Sequence, residues 1–398
     1  MSEVAQVPQL RFPEFSGEWE DGKLGNYGNL INGLTYSPDN IVDDGLLVLR
    51  SSNVQNGQIY LNDNVYVNLD VDDAALTRED DILICVRNGS KRLIGKSTII
   101  NKNLPKSTHG AFMTVFRGES NKFISHWFHS SIYYKEVHKN LGATINSING
   151  SDLKKFKTIF PLKPEQQRIA AFLTAVDNKI EQLSKKQALL GEYKKGLMQQ
   201  IFSQAIRFKS DDGGTFPDWE EKNGNEIFDN ISNKNHDSDL PILAITQEHG
   251  AIPRDLINYK MIVSDKSVSS YKVVETGDFI ISLRSFQGGI EYSNYKGICS
   301  PAYIILRPAI EIEKKFYKYY LKTYRYIQDL NRKLEGIRDG KMVSYKYFSE
   351  IKLPYPSISE QAKIANFLSS IDNKIEQVGK QLDESKQFKK ALLQQMFV

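Results

Sequence analysis

Forty-three consecutive residues are written twice in this chain. Residues 160 to 202 and residues 355 to 397 align without a gap at a constant offset of 195, and 20 of the 43 positions are identical. The matches include Glu165 with Glu360, Gln166 with Gln361, Phe172 with Phe367, and the run Asp177 to Gln182 with Asp372 to Gln377. A shorter echo opens each half: Phe12, Pro13, Glu14, Trp19 and Glu20 in the first, and Phe216, Pro217, Asp218, Trp219 and Glu220 in the second. A repeat on this scale constrains the fold to two copies of one architecture. The stretches between the markers align only at landmarks such as Asp81 with Asp278 and Arg87 with Arg284. Similar ends around dissimilar middles imply the same grip offered twice and two different faces offered once each. The alternative is that the middles merely drifted.

Both repeated segments carry a long helical pattern. Pro164 and Ser359 stand where a helix can start, no later proline interrupts either segment, and each pattern runs for about 38 residues. Heptad steps through the first copy fall on Ile169, Leu173, Val176, Ile180, Leu183, Gln187, Leu190, Lys194, Leu197 and Ile201, eight of ten apolar. The second copy gives Ile364, Leu368, Ile371, Ile375, Val378, Leu382, Ser385, Lys389, Leu392 and Met396, again eight of ten. Two seams of this kind need partners, and the nearest partner for each is the other, in an antiparallel coiled coil with an internal pseudo-twofold repeat. The alternative is two amphipathic helices that lie on their own domains.

The middles read as α+β. The first has short strand patterns at GLLVLRSS near 45 to 52 and DILICV from Asp81, then the basic turn RNGSKRLIGKS, with helical periodicity only near FISHWFHSSIYYKEVHKN. The second has DFIISL from Asp278, the turn RSFQGG from Arg284, and a helical stretch near 314 to 333. Four segments follow: mixed α/β domains at 1–160 and 206–354, and helical spacers at 161–205 and 355–398.

Net charge is only +4, from 52 basic and 48 acidic residues, so any case for an acidic partner rests on where the basic residues lie. The turn after Val86 holds Arg87, Asn88, Ser90, Lys91, Arg92 and Lys96, with glycines at 89 and 95, and Arg50 closes the preceding strand pattern. Arginine pairs bidentately with guanine and asparagine with adenine, and such a loop also meets phosphates. Its counterpart offers a different set, Arg284, Ser285, Phe286 and Gln287. A basic turn can also be simply solvated. The stretch from 314 to 333 carries Lys314, Lys315, Lys318, Lys322, Arg325, Arg332 and Lys333 against Asp329 alone. Phe316, Tyr320, Tyr324 and Ile327 recur in it at helical spacing, so an amphipathic helix with a wet basic face competes with a backbone-tracking role.

Motifs for self-contained chemistry are missing. No GxxxxGK[ST] phosphate loop, glycine-rich methylase loop or Asn-Pro-Pro-aromatic signature occurs. PDWEEK at Pro217 to Lys222 fuses Pro-Asp with Glu-x-Lys, where a metal-dependent nuclease would place them on separate strands. Histidines 109, 126, 129, 138, 236 and 249 make no zinc pair with Cys85 and Cys299, and two lone cysteines 214 positions apart fit a reducing compartment and offer no disulfide framework. No metal site is expected. Neither a signal peptide nor a run of about 20 apolar residues is visible, so a cytoplasmic, non-membrane protein is expected.

The doubled block Pro-x-x-x-Glu-Gln-x-x-Ile-Ala-x-Phe-Leu-x-x-x-Asp-x-x-Ile, present at Pro161 to Ile180 and Pro356 to Ile375 after Trp-containing openings, resembles the specificity subunits of Type I restriction-modification systems. The likeness covers essentially the whole chain. It implies that each middle is a target recognition domain for one half of a bipartite double-stranded DNA site. The helical blocks would separate the two and bind two modification (methyltransferase) subunits. Those partners would carry S-adenosylmethionine, none being bound by this chain, and restriction (translocase/nuclease) subunits would join them. The chain itself would be non-catalytic. A helix of 38 residues spans about 57 Å at 1.5 Å per residue, so half-sites one DNA turn apart come within reach. Lys163 and Pro164 become Ile358 and Ser359 in the second copy, which puts equal docking at the two helix starts in doubt. The competing reading is a coiled-coil scaffold presenting two protein-interaction domains, which would show no salt-dependent DNA affinity.

Overall fold

A computed structural model describes residues 7–141, 146–237, 239–257, 268–332 and 343–398. The repeated segments form two long helices, a central one over Lys163–Phe202 and a C-terminal one over Ile358–Gln395. The chain divides into two compact units, residues 1–184 with 380–398 and residues 185–379, so each long helix contributes part of its length to each unit.

The first unit is built on a four-stranded antiparallel sheet in the order Gly28–Asn32, Met113–Gly118, Ile82–Cys85, Ser97–Ile99. All four residues of Ile82–Cys85 are buried, which is why ILIC reads as an unbroken apolar run rather than an alternating one. A second sheet, Ser107–His109, Leu46–Leu49, Tyr66–Val67, Ile41–Val42, adds one parallel pairing, between the first two of these strands. The other unit repeats the first sheet as Phe228–Ile231, Ile304–Pro308, Phe279–Ile281, Glu291–Tyr292. The middles are therefore copies of one fold despite their dissimilar sequences. Each copy is closed by an antiparallel pair of its first and last strands, Glu20–Lys23 with Lys157–Phe160 and Glu220–Asn223 with Lys352–Tyr355.

The landmark aspartates mark a buried tie. Asp81 accepts Nε and Nη2 of Arg117 at 2.8 and 2.7 Å and the backbone N–H of Arg78 at 2.8 Å. Asp278 does the same with Arg307 at 2.8 and 2.7 Å and with the N–H of Glu275 at 2.8 Å. A buried carboxylate is tolerated because its lone pairs are filled by charge-assisted bonds.

The repeated motif acts at the strand-to-helix junction. Glu165 and Glu360, both buried in a helical first turn, take Arg11 and Arg207 in two-pronged pairs. Gln166 and Gln361 each donate at 2.8 Å to the carbonyl of the proline five residues before, Pro161 or Pro356. Polar side chains therefore close the turn that aims each helix, which explains why Glu-Gln is written twice.

Within each unit the two helices run antiparallel. In the first, Ile169 and Leu173 share a core with Leu392 and Met396; in the second, Ile201 shares one with Ile364 and Leu368. The seam positions are all buried or half-buried, as the heptads require. Two of the polar exceptions explain themselves: Lys389 pairs with Asp177 and Lys194 with Asp372, each at 2.5 Å. Asp372 is Asp177 plus 195 and Lys389 is Lys194 plus 195, so each pair is the repeat image of the other. Such reciprocity is what a self-complementary antiparallel contact demands. Leu183 is buried in this seam. Leu183→Asp is expected to cost about 3 kcal/mol by placing a charge there. Urea denaturation of the variant measures this, and an unchanged midpoint contradicts the packing described.

The basic stretch departs from the single helix its periodicity suggests. It forms two, Lys314–Tyr320 and Tyr324–Arg332, broken at Leu321–Thr323; Lys333 lies outside the described residues. Thr323 Oγ1 accepts the N–H of Tyr326 and restarts the helix with a new phase. Phe316 and Tyr320 are buried as expected, but Tyr324 is 78% exposed and burial passes to Tyr326 and Leu330. Lys322 is not on a wet face: it pairs with buried Glu291. Lys314, Lys315, Arg325 and Arg332 remain exposed.

Candidate nucleic-acid interface

The basic turn of the first unit is held from beneath by its backbone. The N–H groups of Val86 and Arg87 both donate to the carbonyl of Phe112, at 3.0 and 3.1 Å, and Asn88 N–H donates to Asn146 at 3.2 Å. Gly95, at φ +83°, turns the chain back toward the sheet, and its carbonyl accepts the buried Tyr133 hydroxyl at 3.0 Å. On this base Arg87, Ser90, Lys91 and Arg92 are exposed and Lys96 is half-buried. Among the described residues Arg87, Lys91 and Arg92 make no ion pair, so their charge is open to an anionic partner. Asn88 is committed inward: its Oδ1 accepts Ser90 N–H at 3.0 Å and its Nδ2 donates to Ser51 Oγ at 3.0 Å. Arg50 is tied to Asp63 by a 2.9 Å ion pair. Of the seven residues singled out here from sequence, the fold brings four to the surface of one braced turn and gives Asn88 and Arg50 partners within the chain.

In the second unit the corresponding segment is a short helical turn, Ser285–Gly288, rather than an open loop. Ser285 is buried, its Oγ accepting Ser282 N–H at 2.9 Å, and Phe286 packs against the core of its unit. Arg284 and Gln287 point outward. The turn therefore presents two of its four singled-out side chains, and the inward pair shapes it. The two units accordingly expose different chemistry at equivalent places, a cluster of three cations in one and a single arginine with an amide in the other.

Each unit is bolted to its own part of a long helix by residues that sequence reasoning did not connect. In the first unit His126 Nε2 lies 3.2 Å from Thr174 Oγ1, and its Nδ1 is 3.7 Å from Asp177. In the second the Tyr319 hydroxyl donates to Asp372 at 2.7 Å and lies 3.2 Å from Ser369 Oγ. Thr174 with Ser369 and Asp177 with Asp372 are repeat partners, so His126 and Tyr319 occupy one structural position. Burial, reinforced by the positive charge of Lys389, pushes the His126 imidazole down to about 3 and that of His129 to about 4. The segments that carry them, FISHWFHSS and FYKYYLKTY, share only a phenylalanine, so alignment gave no signal for the pairing. Among the described residues no three His, Cys, Asp or Glu side chains group to hold a metal ion, and no helix is long and apolar enough to cross a membrane.

Each unit thus carries one copy of a single fold, its own exposed charged turn and its own antiparallel stretch of the two long helices. The family profile for the Type I restriction modification DNA specificity domain matches this chain twice, over residues 16–190 and 217–385. The chain belongs to that family and is a specificity subunit with two recognition domains. It is 27% identical over 421 residues to the putative type I restriction enzyme MjaX specificity subunit of Methanocaldococcus jannaschii, covering 98% of this chain and 94% of that one. It is 29% identical over 202 residues to the EcoKI specificity subunit of Escherichia coli, covering 48% of this chain and 43% of that one. The fold is similar to the crystal structure of the Type-I restriction-modification S subunit from M. genitalium, with a TM-score of 0.60 at 18% identity over 98% of this chain and 99% of that one.

Proposed function

We propose that each unit reads one half of a bipartite double-stranded DNA target, and that the paired helices set the gap and dock two modification subunits. The chain contributes no catalysis of its own. S-adenosylmethionine belongs to the modification partners, restriction subunits join the same complex, and the assembly works on DNA in the cytoplasm. Recognition domains 1–160 and 206–354 then do the reading, with the helical segments 161–205 and 355–398 as spacers.

The observation that carries this reading is the contrast between the two exposed turns on equivalent frames. Arg87, Lys91 and Arg92 suit phosphates and a guanine edge, while Arg284 with Gln287 suits a different base set. The frames are alike because each must hold the same partner; the turns differ because each meets a different sequence. The reciprocal Asp177–Lys389 and Asp372–Lys194 pairs support two identical partners on one chain.

The test is co-expression with the modification subunit and mapping of methylated adenines. A split motif with a fixed gap is expected. Arg87→Ala is expected to relax the first half-site and Arg284→Ala the second, each weakening binding by about 1–3 kcal/mol. Full affinity in the double variant removes these turns from the interface, and binding that ignores salt favours the protein scaffold.

A further inference from the structure

Phe112 is 57% exposed, yet nothing about its backbone is loose. It follows Ser107–His109 and precedes Met113–Gly118, strands that are almost wholly buried. Gly110 N–H donates to Leu49 at 3.0 Å, and Met113 N–H closes a turn onto Gly110 at 2.8 Å. The carbonyl of Phe112 accepts the two N–H groups that begin the basic turn, those of Val86 and Arg87. The ring is thus presented from a rigid corner, and the Arg87 guanidinium stands 5.8 Å from its centroid.

A single exposed phenylalanine is ordinary; what sets this one apart is a rigid corner that holds its ring beside an unpaired arginine fork, a pairing that fits a ligand with an apolar feature next to a polar edge. In the major groove the apolar feature a base edge offers is the C5-methyl of thymine, and the best partner for an arginine fork is guanine. We propose that Phe112 is a specificity-determining residue that packs on a thymine methyl beside the base pair engaged by Arg87. This rests on the reading of the first unit as a DNA half-site reader and names what it reads. The second unit lacks the device. The Asp81–Arg117 and Asp278–Arg307 ties fix the register of the strands, and counting back five residues from each arginine sets Ala302 opposite Phe112.

The complete complex with its modification subunits is the material to use. The methylation map first defines the two half-sites, and a map without a split motif removes the underlying reading before the phenylalanine is tested. Duplexes are then made in which each thymine of one half-site becomes uracil, which deletes only the methyl. In the wild-type complex one such change in the first half-site is expected to weaken binding about 4-fold, the worth of one buried methyl. In Phe112→Ala the same change is expected to have no effect, while recognition of the second half-site persists and shows that the chain is folded. A wild-type complex indifferent to every uracil in the first half-site overturns the proposal, as does a Phe112→Ala complex that keeps the 4-fold sensitivity.

Discussion

Replacing Glu360 by alanine is expected to destabilise the second unit by about 3–5 kcal/mol, the cost of breaking a buried ion pair from one side. The carboxylate is fully buried and takes three donors: Arg207 through Nε at 3.2 Å and Nη2 at 2.9 Å, and the Trp219 indole at 2.9 Å. Alanine leaves the indole N–H without an acceptor and strips the half-buried guanidinium of its buried counter-charge, leaving it the carbonyls of Phe216 and Pro217 and the exposed Asp218. Glu165→Ala removes the equivalent pair with Arg11, but the Trp19 indole has no hydrogen-bond partner in the first place, so its cost is expected to be about 1 kcal/mol smaller. The tryptophans make the units separable: Trp219 lies in residues 185–379, Trp19 and Trp127 in the other unit. Urea unfolding followed on a Trp19→Phe, Trp127→Phe background reads the Glu360 effect alone, and on a Trp219→Phe background it reads the Glu165 effect alone. Equal losses in the two variants would show that the indole bond contributes nothing.

Acidification is expected to unfold the two units at different points, the first one earlier. His126 and His129 are buried, one against Asp177, Thr174 and the Lys389 ammonium, the other against the carbonyl of Ser97. Their folded values, about 3 and about 4, lie below the ordinary imidazole value of 6.5. Between pH 6.5 and about 4 the unfolded chain therefore binds protons that the folded unit refuses. Stability present above pH 6.5 falls as the pH drops, by about 1.4 kcal/mol per pH unit for each imidazole, until the folded values are passed. At pH 4.5 the two together cost on the order of 5 kcal/mol. The second unit has Tyr319 and Lys322 at these positions and no such loss in this window. Urea midpoints of the Trp19 and Trp127 signal against pH test this, and His126→Gln should flatten the slope by about a third to a half, because burial also holds the His109 imidazole of the same unit below its ordinary value. Parallel profiles for the two units would contradict it.

The features legible in the sequence are those that depend on local spacing. The long helices and their seam follow from a heptad sustained over 40 and 38 residues, and Asp81 and Asp278 survive as landmarks because a buried carboxylate with a fixed arginine admits few substitutes. The middles were opaque as copies because their strands are only two to six residues long, and sheet pairing depends on partners far off in sequence. Tyr324 was misplaced because three residues of non-helical chain reset the phase that periodicity extrapolates. Ser285 and Phe286 looked like readers because composition does not say which way a turn faces. Phe112 carried no signal at all: exposure of an isolated phenylalanine between two strands is decided by the corner it occupies. The pairing of His126 with Tyr319 was hidden because the two side chains share a position and a hydrogen-bonding role but no chemistry a residue-by-residue match would score.

The antiparallel pairing of first and last strands in each copy, Glu20–Lys23 with Lys157–Phe160 and Glu220–Asn223 with Lys352–Tyr355, has a consequence for inheritance. The chain enters and leaves each reader side by side, through a ladder of backbone bonds that is indifferent to side-chain identity. Everything between the two strands is therefore a cassette with a standard plug, and the residues that seat it, Asp177 with Thr174 or Asp372 with Ser369, belong to the socket. A recombination event that exchanges one cassette would be expected to replace one recognition domain and leave the long helices that seat it unchanged.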